Sequence, residues 1–189
     1  LFTQECKNEI RFNSDSKKWL IWKGAHWQTD KIDEVVLRAA RFSQSLYAKA
    51  PALVKNQADM TTAQRQIKRS NTSVGLNAFL NISRAFLSLT SDELDKNPYL
   101  LNCKNGTVNL RTGELEPHSA ANLITKLVPY NYEAGAQSRV FDNFLADIQP
   151  DPVVRRFLQE SIGYSLLGVA RERCFWILYG TGNNGKSVF

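Results

Sequence analysis

The residues with the most evident chemistry are Gly180-Thr181-Gly182-Asn183-Asn184-Gly185-Lys186-Ser187, which fit the spacing G-x-x-x-x-G-K-[ST]. Such a loop binds phosphate for a physical reason. Its glycines let successive backbone N–H groups turn inward on nucleotide phosphates with no Cβ in the way. Lys186 is the candidate catalytic residue, its ammonium reaching the β- and γ-phosphates, and Ser187 is the candidate Mg²⁺ ligand through its hydroxyl. Gly180, Thr181, Gly182, Asn183, Asn184 and Gly185 complete the candidate nucleotide-binding set. The plain alternative is a Gly/Asn turn that a lysine happens to follow. Six apolar residues before the loop, Cys174-Phe175-Trp176-Ile177-Leu178-Tyr179, favour phosphate binding, because they predict a buried parallel strand feeding it.

Strand, loop and helix open a nucleotide-hydrolase domain, and the acidic Mg²⁺ ligand and arginine finger come later in such a chain. Here Val188 and Phe189 alone follow the serine. The expectation is therefore a fragment, an upstream region joined to the first strand and loop of a truncated α/β hydrolase.

The elements that would position this loop sit in a chain of 189 residues, enough for one domain or two small ones. Hydrophobic content of 43% and charged content of 22% are ordinary for a globular protein. No run of 18 apolar residues predicts a membrane span. The start, Leu1-Phe2-Thr3-Gln4-Glu5, lacks a signal peptide's basic and apolar regions and reads as a cut point. Cys6, Cys103 and Cys174 are scattered, and His26 and His118 are the two histidines, so neither a zinc site nor a disulfide framework is expected. A reducing compartment fits.

The net charge of +6 is unevenly placed. From Met60 to Ser91 there is no acid, whereas Arg65, Lys68, Arg69 and Arg84 all lie there. An acid-free basic stretch is the footprint of a nucleic-acid partner. A solvated helical face is an equal reading.

Residues 10–30 predict a hairpin with Gly24-Ala25 as a type II′ turn, which sets Trp22 opposite Trp27. Trp19, Trp22 and Trp27 could form a stacking platform for bases. The favoured reading makes them cement between a small sheet and a helix, since basic residues nearby are few.

Asp30 is the predicted N-cap of a helix carrying Ile32, Val35, Val36, Ala39, Ala40, Ser43, Leu46 and Tyr47 on one face and ended by Pro51. A loop to Met60 leads to a second helix, 62–70. A third buries Val74, Ala78, Phe79, Ile82, Ala85, Phe86 and Leu89. Asp92, Glu93 and Asp95 read as the acidic first turn of a short helix rather than an active site.

Asn105-Gly106 between two β-prone runs marks a hairpin, and Arg111-Thr112-Gly113 turns it into a three-stranded meander, with 124–132 as a possible fourth strand. Two helices follow. Residues 138–148 would bury Phe141, Phe144, Leu145 and Ile148. A second, capped by Asp151 with Pro152 at its first position, carries Val154, Phe157, Leu158, Ile162 and Leu166 and ends near Gly168. The fold class is α+β: an N-terminal β-hairpin, a helical segment, a β-meander, two helices, then the first strand and loop of the α/β part. Three regions follow, 1–90, 91–170 and 171–189.

The run from Asn97 through Asn105-Gly106-Thr107-Val108-Asn109-Leu110-Arg111-Thr112-Gly113-Glu114-Leu115 resembles the central motif of the phage/plasmid primase–helicase family. That family includes the satellite-phage P4 type and the poxvirus D5-like N-terminal domain. Trp19-Leu20-Ile21-Trp22-Lys23-Gly24-Ala25-His26-Trp27 is similar to its first hairpin. Ser161-Ile162-Gly163-Tyr164-Ser165-Leu166-Leu167-Gly168 and the loop resemble its junction with a superfamily 3 helicase. The resemblance spans essentially the whole chain. It implies a DNA replication protein, an ATP- and Mg²⁺-dependent, ring-forming helicase often fused to a primase, encoded by a phage or mobile element and acting in the bacterial cytoplasm on DNA. Its roles carry over to Gly180, Gly185, Lys186 and Ser187 alone. Residues 1–170 would be the linker or collar before the motor. The alternative is a non-catalytic oligomerisation or DNA-binding module. A phosphate-loop kinase or GTPase fits less well, given the long region ahead of the loop.

Overall fold

The structure, a computed structural model, describes residues 2–54, 56–169, 171–180, 182, 185 and 187. It is α+β, and its contacts divide the chain into two compact units. The first comprises Leu1–Lys96 with His118–Leu127, and the second Asn97–Pro117 with Val128–Phe189.

The first unit opens with a short helix α1 (Phe2–Glu5) and three antiparallel strands, β1 (Ile10–Asn13), β2 (Lys18–Trp22) and β3 (Trp27–Thr29). Helices α2 (Glu34–Leu53), α3 (Gln57–Ser70) and α4 (Ser73–Leu87) follow, and β4 (Ser88–Leu89) returns parallel to β1. The sheet order is β3-β2-β1-β4. Alternation of side chains along β2 separates two cores. Trp19 and Ile21 pack with Phe2, Ile10, Val35, Ala39, Leu80 and Leu87 on the helical side. Leu20 and Trp22 pack with Trp27, Leu89, Leu94 and Leu123 on the other.

The predicted register of the hairpin is observed. Trp22 pairs with Trp27, their ring centroids 5.7 Å apart, and Gly24 at φ +85° supplies the left-handed turn residue. Trp27 is buried, its Nε1 donating to Ala120 O at 2.9 Å and its backbone N–H to Ile124 O at 2.8 Å. Those two bonds fasten residues 118–127 to the first unit, which explains why that excursion belongs there. The three tryptophans are cement rather than a free platform.

Several boundaries differ from the sequence reading. The N-cap of α2 is Asp33, in left-handed geometry and with no side-chain cap. Asp30 nevertheless satisfies that end from outside, its carboxylate accepting from Glu34 N at 3.0 Å and Val35 N at 2.9 Å. Pro51 does not end α2 but sits in its last turn, where the missing N–H costs one terminal bond. Residues 57–60 are the start of α3 rather than loop, because Asn56 caps them by accepting from Asp59 N at 2.9 Å.

The largest correction is the rotation of α4. Leu80, Ser83 and Leu87 are buried, with Leu76 and Phe79 packed beside them. Val74, Ile82 and Phe86 are instead 77%, 66% and 70% exposed, and Leu89 belongs to β4. Ile32 also faces solvent, since it precedes α2. The acidic stretch is a 3₁₀ turn, Ser91–Glu93, in which Glu93 accepts from Thr90 N as a capping box.

The second unit holds the predicted meander, β5 (Leu100–Cys103), β6 (Gly106–Asn109) and β7 (Leu115–Glu116). The Asn-Gly signal falls one residue off the expected turn. Cys103 pairs with Gly106, leaving Lys104-Asn105 as the loop. Asn105 then accepts from Tyr132 N at 2.8 Å and donates to Tyr132 O at 2.9 Å. The expected fourth strand shrinks to one parallel bridge, Cys103 to Val128. Pro129 follows at once and has no N–H to continue a ladder.

Helices α5 (Arg139–Ile148) and α6 (Pro152–Ser165) are capped by Ser138 and Asp151, the latter with proline at the first position as expected. No residue of either is fully buried, and Phe141, Phe157, Ile162 and Leu166 are exposed. Residues 174–179 are not a strand. No strand among the described residues pairs with them, so their backbone has no ladder to join. They lie along α6, Trp176 edge-on to Tyr164 at 5.9 Å, and with α5 and α6 they border an apolar cleft of about 680 Å³.

Candidate functional site

Of the phosphate loop, Gly180, Gly182, Gly185 and Ser187 are described, while Thr181, Asn183, Asn184 and the candidate catalytic Lys186 lie outside the described residues. Gly185 adopts φ +76°, a conformation that favours glycine, and a Cβ there would stand 2.6 Å from Ile148 Cγ2. A side chain at Gly182 would meet nothing within 4 Å. The donor chemistry of the loop, backbone amides with a lysine and a serine, fits a nucleotide's phosphates and Mg²⁺.

The basic segment is better defined. Arg65, Lys68 and Arg69 project from α3 into solvent, and none forms an ion pair within 4 Å among the described residues. They occupy one helical stretch because i, i+3 and i+4 positions share a face, and that face holds no acid. Ile67 points the other way and is buried, which anchors the helix and fixes the basic side outward. Arg84 stands apart from that face. It lies on α4 with its guanidinium 4.8 Å from the Phe12 ring centroid, a cation–π contact.

Three other cations of the first unit are engaged. Arg38 bridges Glu34 and Glu9, Lys23 pairs with Glu34, and Lys49 pairs with Glu5. The bonds from Lys23 and then Arg38 hold the Glu34 carboxyl below its ordinary value. α3 therefore groups three cations with no ion-pair partner among the described residues on one helical face. Sixteen lysines and arginines stand against ten acids in the first unit, a net +6, whereas the second has eight of each.

The sequence reading did not bring together Tyr99, Arg111 and Arg171. In the second unit Arg171 Nη2 donates to the Tyr99 hydroxyl, and the Arg111 guanidinium lies 3.9 Å above the Tyr99 ring. A separation of 72 positions between Tyr99 and Arg171 hides this group from any local pattern. Among the described residues no set of three His, Cys, Asp or Glu could hold a metal, and no helix is long and apolar enough to cross a membrane.

Two viral proteins are similar to this chain, both provisionally named helicases. That of Acanthamoeba polyphaga mimivirus is 26% identical over 208 residues, covering 98% of this chain and 21% of that protein. That of Invertebrate iridescent virus 3 is 32% identical over 103 residues, covering 52% of this chain and 11% of that protein. The chain thus spans about a fifth of the first relative and about a tenth of the second. The chain matches the family described as D5 N terminal like over residues 1–150, a span that holds the paired-tryptophan hairpin, helix α3 and the Asn-Gly meander, and it belongs to that family.

Proposed function

We propose that this chain is a region of a DNA replication primase–helicase that precedes an ATP-driven superfamily 3 motor, and that its own task is to hold DNA on α3. The observation that carries this is the outward row of Arg65, Lys68 and Arg69, without ion pairs among the described residues, in the one unit that bears the net charge. Fixed cations on a rigid helix bind a phosphate backbone by releasing its counterions, without reading sequence. Arg84 adds charge to the same unit from α4. The names borne by the viral relatives support the helicase setting.

In the whole protein, ATP with Mg²⁺ would supply the free energy of phosphoryl transfer. Gly180, Thr181, Gly182, Asn183, Asn184 and Gly185 would hold its phosphates through backbone N–H groups, Lys186 would place a positive charge beside them, and Ser187 would offer a hydroxyl to the metal. A second reading is a module for self-association into a ring, with no ATPase activity of its own. The exposed apolar row Val74, Ile82 and Phe86 on α4 favours it, since an uncovered stripe of this kind suits a protein partner.

The test is binding of a labelled oligothymidylate by fluorescence anisotropy. Reversal of Arg65, Lys68 and Arg69 to glutamate is expected to weaken binding at least about tenfold at low salt. Unchanged affinity would contradict the proposal.

A further inference from the structure

Tyr99, Arg111 and Arg171 form a cationic cluster that the role of α3 leaves unused. The two guanidinium carbons lie 3.9 Å and 5.7 Å from the Tyr99 ring centroid, and Arg171 also donates to its hydroxyl. No carboxylate lies within 4 Å of either arginine among the described residues. Two like charges gathered on one phenol repel, and a ring face with a neutral hydroxyl offsets only part of that. Both guanidiniums favour the ionised phenol, Arg111 first and then the charge of Arg171, and hold the Tyr99 pKa below its ordinary value. The missing partner is an anion.

We infer that Tyr99, Arg111 and Arg171 form a clamp for a backbone phosphate of single-stranded DNA, with the two guanidiniums gripping the phosphate and Tyr99 fixing their positions. Guanidinium forks suit phosphate oxygens, and both arginines are exposed. Arg111 covers one face of the Tyr99 ring, so that face is closed to base stacking and the contact carries no sequence information. The second unit has no net charge, so the clamp is a local site and not part of a diffuse field. The choice of DNA as ligand rests on the proposed nucleic-acid role; the anion site does not.

The experiment measures oligothymidylate affinity across a salt series for the full chain and for the Arg111→Gln, Arg171→Gln and Arg111→Lys variants, with circular dichroism to check folding. Each glutamine variant is expected to bind several-fold more weakly, and the Arg111→Gln/Arg171→Gln double variant to flatten the slope of log affinity against log salt by about 0.7, the value of one lost single-strand phosphate contact. Arg111→Lys keeps the charge and should keep the slope. If Arg171→Gln disturbs folding, Arg111→Gln on its exposed turn decides the matter. Unchanged slope and affinity in Arg111→Gln overturn the clamp. If the unaltered chain binds no oligothymidylate, the nucleic-acid role fails, and inorganic pyrophosphate decides the clamp separately. A shift of the Arg111 and Arg171 Nε–H resonances on pyrophosphate addition then upholds an anion site, and no shift overturns it.

Discussion

Ser43 sits in the middle of α2, 3% exposed, and its hydroxyl meets no hydrogen-bond partner among the described residues. A buried donor without a partner costs free energy, and serine is a poorer helix former than alanine. Ser43→Ala is therefore expected to stabilise the first unit by about 1 kcal/mol, read as a higher thermal midpoint. A lower midpoint would show that the hydroxyl has a partner. Glu34 makes the opposite case. Lys23 first and then Arg38 lower its pKa below the ordinary 4.5, so the ionised form is favoured by folding. A depressed carboxyl contributes its stability in full above that ordinary value and loses it as pH falls through the folded one. The midpoint of the first unit should drop as pH falls below about 4.5, and Glu34→Gln should flatten that drop. An equal drop in the variant would place the acid sensitivity elsewhere. Neither effect is visible in the sequence, because each depends on what packs around the residue. Asp30 was more legible. An acid before an apolar period announces a helix start, although the chain uses it three residues outside the formal cap.

At the scale of elements, the parts that local rules dictate were readable and those that packing dictates were not. The β2–β3 register follows from a two-residue turn and alternating side chains, both local, and Trp22 faces Trp27 as those rules require. Helix α4 carries two apolar stripes. Leu76, Phe79, Leu80 and Leu87 form one, and Val74, Ala78, Ile82 and Phe86 form another, each with helical spacing. Periodicity is satisfied by either, and only the sheet beneath selects the first. This makes a sharp prediction. Leu80→Ala and Leu87→Ala should each destabilise the first unit by about 2–5 kcal/mol, whereas Ile82→Asn and Phe86→Gln should stay within about 0.5 kcal/mol. Chemical denaturation of the four variants checks it. A large loss for Ile82→Asn would mean that α4 is rotated the other way. The strand expected at 174–179 failed for a similar reason, since an apolar run becomes a strand only beside another strand, and the described residues provide none.

For the whole molecule, the motif order and the basic segment were both legible, because a motif is a local pattern and charge is additive along a chain. The partition was not. Residues 118–127 return to the first unit through the bonds of Trp27, and with that partition the net charge of +6 falls wholly on one unit. The cluster of Tyr99, Arg111 and Arg171 was equally hidden, since it exists only once distant segments meet. The role proposed for α3 is that of a phosphate-binding surface within a D5 N terminal like chain. The most direct measurement is the salt dependence of oligothymidylate binding, for the unaltered chain and for the chain with Arg65, Lys68 and Arg69 reversed to glutamate. Loss of three single-strand phosphate contacts should flatten the slope of log affinity against log salt by about 2. A slope that stays the same in the reversed chain would contradict the account, because the DNA would then be held somewhere other than α3.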